Sequence, residues 1–120
     1  RYERLNNKKI DNAPFVVEDK FTKLKTKQLF ESMKKILGDL YEVALQKKSV
    51  RAGKGKRRGR KYKKNAGVLI VTGKDEKLKS KGVEIVQANS LGVSDLAKGE
   101  PGRLTIYTEN AITEIGEKFK

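Results

Sequence analysis

The sequence predicts an α/β fold, a three-layer α/β/α arrangement around a mostly parallel central sheet, with strands near 14–17, 68–72, 83–87 and 103–107. Three observations carry this. Short apolar runs alternate with segments whose apolar residues recur at helical spacing, the pattern of strands joined by crossover helices. Val68-Leu69-Ile70-Val71 is apolar without a break, as suits a strand covered on both faces. A length of 120 residues, 36% of them hydrophobic, supplies one domain of modest core.

The elements follow in chain order. Residues 1–12 form a polar end containing Asn6, Asn7, Lys8 and Lys9, and the domain is expected to occupy 13–120. Phe15-Val16-Val17 after Pro14 is a strand closed by Glu18-Asp19. Leu29, Phe30, Met33, Ile36 and Leu37 fall at i, i+1, i+4, i+7 and i+8, one apolar stripe of a helix. Thr26 is its expected N-cap and Gly38 stands where a C′ glycine belongs. Asp39 then caps a short second helix carrying Leu40, Val43 and Ala44.

After the 68–72 strand, Leu78 is assigned to a short helix following Gly73, and Val83-Glu84-Ile85-Val86 to the next strand. Leu91 to Ala97 holds a helical turn or two, and Glu100-Pro101-Gly102 is a turn. Leu104-Thr105-Ile106-Tyr107 is a strand. Thr108 caps a last helix whose stripe is Ala111, Ile112, Ile115 and Phe119.

Composition excludes much chemistry. The chain has no Cys and no His, so disulfides, thiolate metal sites and Ser/His/Asp or Cys/His catalysis are ruled out. No apolar run approaches the ~20 residues of a membrane span, and no signal-peptide pattern opens the chain. The first residue is Arg1 and the only methionine is Met33, so a part of a longer or processed protein is expected.

Charge is the strongest signal. Lys and Arg total 29 against 15 acids, a net charge of +14. Eleven of those cations lie between Lys47 and Lys64 with no acid among them: Lys47, Lys48, Arg51, Lys54, Lys56, Arg57, Arg58, Arg60, Lys61, Lys63 and Lys64. The other 102 residues carry only +3. A near-neutral body with one intensely cationic segment implies a local anion-binding site. Arg grips phosphate oxygens as a fork and Lys adds point charge, while Gly53, Gly55 and Gly59 admit close backbone approach. Tyr62 offers a ring for an unpaired base. Repulsion within the run favours disorder until an anionic partner binds.

Other chemistries find little support. Gly53-x-Gly55 lacks the third glycine of a dinucleotide fingerprint, no strand immediately precedes it, and no phosphate-loop motif exists. Glu18-Asp19 and Asp75-Glu76 sit at element ends, where surface acids are routine. No catalytic, metal or cofactor residue is assigned, and no enzyme activity or small-molecule substrate is expected.

The run Arg51-Ala-Gly-Lys-Gly-Lys-Arg-Arg-Gly-Arg-Lys-Tyr62 ahead of an apolar strand resembles large-subunit ribosomal protein four of the archaeal and eukaryotic type. Pro101-Gly-Arg-Leu-Thr-Ile-Tyr-Thr-Glu-Asn-Ala111 is similar to that family's closing strand and helix, and Asn12-Ala-Pro-Phe-Val-Val-Glu-Asp19 to the opening of its second half. The resemblance implies an α/β/α domain that binds large-subunit ribosomal RNA as a structural and assembly component. It implies neighbouring ribosomal proteins as partners and a cytoplasmic, ribosome-bound location. The family's N-terminal part, with its loop to the exit tunnel, has no counterpart in these residues, and members often carry an uncharged residue at the position of Arg57. The expected RNA contacts are the eleven cations of 47–64 with Gly53, Gly55, Gly59 and Tyr62. The alternative is a polybasic adaptor for anionic membrane surfaces or another nucleic acid, though no flanking amphipathic helix or lipidation motif supports a membrane partner.

Overall fold

The computed structural model describes residues 13–99 and 102–120. In chain order the elements are β1 (Phe15–Val17), α1 (Thr26–Leu37), α2 (Tyr41–Ala44), β2 (Lys48–Val50), β3 (Tyr62–Lys64) and β4 (Leu69–Thr72). β5 (Glu84–Gln87), α3 (Val93–Ala97), β6 (Thr105–Thr108) and α4 (Glu109–Lys118) complete the chain. Four strands form one sheet in the order β1-β6-β4-β5, and every pairing in it is parallel. β2 and β3 stand apart as an antiparallel pair.

The register explains the three layers. Phe15, Ile106, Ile70 and Ile85 align across the sheet in one row. Because side chains alternate along a strand, this row faces one side and packs with Leu29, Met33 and Leu37 of α1. The adjacent row, Val16, Tyr107, Val71 and Val86, faces the other side. There Leu69 and Val71 pack with Ala88, Leu91, Leu96, Ala111 and Ile115. All four residues of β4 are buried, which accounts for its unbroken apolar run. Val16 is 46% exposed because β1 is the edge strand.

Several boundaries differ from expectation. The last strand begins at Thr105 and includes Thr108, rather than spanning 103–107, because Arg103 turns inward before it. Thr26 is already helical. The N-cap position belongs to Lys25, whose carbonyl accepts from Leu29 N–H at 2.9 Å while Gln28 Oε1 accepts its N–H at 3.4 Å. Asp39 lies inside a 3₁₀ turn (Gly38–Leu40) that runs directly into α2, whose N-cap position is Leu40 instead. Gly38 does end α1, at φ 52° with its N–H donating to Lys34 O.

Leu78 lies in irregular chain rather than a helix. Glu76 is the reason: its carboxylate accepts from Gly73 N–H at 2.8 Å, Thr108 Oγ1 at 2.7 Å and Asn110 Nδ2 at 3.2 Å. These bonds pull residues 73–76 toward the start of α4, and Leu78 packs on the α1 side of the core. Glu76 is therefore a structural tie, whereas Glu18 and Asp75 are exposed surface acids. Burial pushes the Glu76 carboxyl upward, but the bonds from Thr108, Gly73, Asp19 and Asn110 together outweigh it and hold the group below its ordinary value.

Thr108 caps α4 as expected, Oγ1 accepting from Ala111 N–H at 3.3 Å. The α4 stripe is narrower than predicted. Ala111 and Ile115, four residues apart, face the sheet, but Ile112 is turned away and 40% exposed. Phe119 lies past the helix end and is 82% exposed. The predicted turn at 100–102 and the polar end at 1–12 fall outside the described residues, except Gly102, which has φ 78°.

Candidate nucleic-acid interface

The cationic run is a hairpin at the amino end of the parallel sheet. β2 and β3 pair Lys48 with Lys64, Ser49 with Lys63 and Val50 with Tyr62, and Arg51 N–H donates to Lys61 O at 2.8 Å. Beyond the strands, Lys54–Arg57 make a 3₁₀ turn. The Gly55 carbonyl accepts from both Arg58 N–H (3.2 Å) and Arg60 N–H (3.1 Å), folding the tip back on itself. Gly53 and Gly59 flank this turn at φ 77° and 76°, where L side chains are strained. The glycines thus shape the tip.

Every cation from Lys47 to Lys64 is exposed, and among the described residues none forms an ion pair. Lys48 and Lys64 sit directly opposite, an unfavourable like-charge pair. Two such charges about 5 Å apart in water repel by roughly 0.8 kcal/mol. Repeated over the run, this repulsion is relieved by an anionic surface. The Lys48 ammonium stands over the Tyr62 ring, 3.8 Å from its centroid, with Lys61 at 5.6 Å. The Tyr62 ring therefore already bears a cation on one face.

The hairpin's base is tied to the body. Asn65 Oδ1 accepts from Lys47 N–H at 2.6 Å and its Nδ2 donates to Leu45 O at 2.8 Å. Gln46 Nε2 donates to Ala66 O at 3.0 Å, and Val68 N–H to Ala44 O at 2.9 Å. Gly67 has φ 65°, and a Cβ there would meet Gln46 Cγ at 2.6 Å and Ala44 O at 2.9 Å.

Arg103 completes the anchor. Its side chain is fully buried, and its guanidinium donates to Gly67 O at 3.2 Å, Ala66 O at 2.9 Å and Asp95 O at 2.9 Å. A further bond of 2.7 Å reaches Glu84 Oε2. Glu84 also accepts from Lys98 Nζ at 2.5 Å, and the Lys98 bond, joined by Arg103, outweighs partial burial and lowers its carboxyl below the ordinary value. A cleft of about 490 Å³ beside this anchor is lined by Lys64, Asn65, Glu84 and Lys98, among others.

All fifteen predicted contact residues thus lie on one hairpin, with the arginines Arg57, Arg58 and Arg60 at its tip. The anchors Asn65 and Arg103 were not assigned as site residues. Asn65 follows the cationic run directly, a usable signal. Arg103 is 36 residues from Gly67, and nothing local marks it as a buried donor.

Among the described residues no helix is long and apolar enough to cross a membrane, and no group of three or more His, Cys, Asp or Glu is placed to hold a metal ion. No family model matches the chain. Three curated relatives, each a large ribosomal subunit protein uL4, are similar to it. That of Methanosphaera stadtmanae is 36% identical over 119 residues, covering 92% of this chain and 46% of the relative. That of Methanocaldococcus jannaschii is 42% identical, covering 92% and 47%. That of Haloquadratum walsbyi is 40% identical over 113 residues, covering 88% and 45%. The chain spans about half the length of these relatives. That similarity is sustained along about nine-tenths of this chain's residues and is consistent with a part of an archaeal-type uL4 protein of the large ribosomal subunit.

Proposed function

We propose that this chain is a structural, non-enzymatic part of the large ribosomal subunit that binds large-subunit ribosomal RNA through the 47–64 hairpin and supports subunit assembly and translation. Residues 13–120 act as one α/β domain that presents this hairpin. Ribosomal RNA is the principal partner, neighbouring ribosomal proteins are the others, and the location is the cytoplasmic ribosome. The observation that carries the reading is a run of eleven cations without an acidic partner among the described residues, on a hairpin anchored to the body by Asn65 and Arg103.

The chemistry follows from the geometry. Arg57, Arg58 and Arg60 at the tip present guanidinium forks to phosphate oxygens, and the flanking lysines add charge along the backbone. Such contacts position a protein without reading sequence. Selectivity then comes from RNA shape and from a base placed against Tyr62.

Replacing Arg57, Arg58 and Arg60 together with Gln tests this, because all three are exposed and the fold should survive, as circular dichroism would report. Affinity for large-subunit RNA should fall and its salt dependence flatten. The slope of log K against log salt is about −0.7 per phosphate on single strands and −0.9 on duplex DNA, so three lost contacts reduce it by roughly 2–3. Wild-type affinity and slope in the variant would remove the hairpin as the site.

A further inference from the structure

The hairpin has two unlike faces. Side chains alternate along a strand, so the register puts Lys48, Val50, Tyr62 and Lys64 on one face. Ser49, Arg51, Lys61 and Lys63 fall on the other, which offers only a hydroxyl and cations. The first face carries an exposed apolar pair, Val50 and Tyr62, directly opposite each other. Such a pair does little for a phosphate and suits the flat face of a base.

That face leads into the cleft at the base of the hairpin. Lys64 belongs to both: it is the next residue after Tyr62 on this face of β3, about 6.8 Å along the strand, and it lines the cleft. The walls beyond it include Gln46, Ala66, Val83, Glu84 and Lys98. At about 490 Å³ the cleft falls within the ~300–1,000 Å³ of small-ligand sites, room enough for a nucleobase.

Its chemistry differs from that of the hairpin, because acceptors stand in its walls. Glu84 binds Lys98 through Oε1 and Arg103 through Oε2. Those bonds keep it ionised at neutral pH and fill two of the roughly four lone-pair positions of a carboxylate. Gln46 spends its Nε2 on Ala66 O, and its Oε1 accepts no hydrogen bond among the described residues. A carboxylate repels phosphate and accepts readily from the amino edge of a base. Ala66 and Val83 give the ring apolar contact. Lys64, between Tyr62 and the cleft, is placed for the phosphate that links two successive nucleotides.

We propose that this cleft seats an unpaired RNA base bearing an exocyclic amino group, the neighbour of the base held on the Tyr62 face. This rests on the RNA reading of the hairpin and adds base selection to it. Adenine, cytosine and guanine carry the group, and uracil does not.

The test uses the full-length protein with single-stranded oligocytidine and oligouridine of equal length, which match in charge and in ring size. Wild type should bind oligocytidine about 3–10-fold more tightly, the range of one net hydrogen bond, with the same salt slope for both. Oligomers of cytidine dimethylated on the amino group, with no hydrogen to donate, should lose that advantage. Ala66→Leu fills the cleft without altering any charge, so it should bring the two affinities together and leave the slope unchanged, with circular dichroism reporting its fold. The hairpin triple variant should instead weaken both oligomers alike. If wild type binds every oligomer equally while the triple variant weakens them all, the cleft is refuted and the hairpin reading stands. If the triple variant binds as wild type does, the hairpin reading fails and the cleft with it.

Discussion

Arg103→Met removes the guanidinium that joins the hairpin base to the body, and its cost follows from what is left behind. Four acceptors lose a donor within 3.2 Å: Ala66 O, Gly67 O, Asp95 O and Glu84 Oε2. Hydrogen bonds with a charged partner contribute about 1.5–3 kcal/mol each, and a sum of four would overshoot because they share one side chain. Removing one partner of a buried ion pair, leaving the other uncompensated, costs about 3–5 kcal/mol. Glu84 is 25% exposed and keeps its Lys98 bond, so water and Lys98 absorb part of the loss. We expect about 3 kcal/mol, a large share of the ~5–15 kcal/mol of a typical domain. In urea, with a slope of ~1–3 kcal/mol per molar, the midpoint should fall by about 1–3 M. Arg103→Met with Glu84→Gln should cost less than the two single changes added, since the carboxylate is then no longer stranded. Amide exchange should quicken around Ala66 to Val68 before it does in α1. A loss under 1 kcal/mol, with exchange at those amides unaltered, would refute the view of Arg103 as the anchor.

Three further outcomes are expected. Ile70→Ala should cost on the order of 2–5 kcal/mol by denaturant unfolding, since Ile70 is fully buried between Ile106 and Ile85 in the central row; a loss under 1 kcal/mol would contradict that packing. Tyr62→Ala should weaken RNA binding by about 1–3 kcal/mol through lost stacking while leaving the salt slope nearly unchanged. A large change in slope would instead mean that the ring acts by positioning Lys48. Glu84 has a folded pKa below its ordinary 4.5, so its contribution is complete above that value and disappears as pH falls through the folded pKa. Wild type and Glu84→Gln should therefore converge in stability as pH drops below about 4.5, and a gap that stays constant in acid titrations would argue against the pairing.

How much of this was legible differs element by element. The 68–72 strand, the Thr108 cap and the stripe of α1 at Leu29, Phe30, Met33 and Leu37 agree with the fold, because each is decided by neighbours within a few residues; Ile36, the fifth residue of that stripe, is 38% exposed. Where the reading slipped, a distant partner had intervened. The sequence puts Leu78 in a helix that Glu76 prevents by bonding across to Thr108 and Asn110, more than thirty residues away. Ile112 and Phe119 fit a helical stripe by spacing, yet the sheet meets only the Ala111 and Ile115 side of α4.

The candidate site divides the same way. Net charge, the eleven clustered cations and their glycines are properties of the chain itself, and repulsion among them needs no fold to be inferred. A sequence is also enough to place a cationic segment between a helix and a core strand. What tertiary structure alone decided is how that segment is held. Arg103 looks like one more surface cation until folding brings four acceptors, from Ala66, Gly67, Glu84 and Asp95, around its guanidinium.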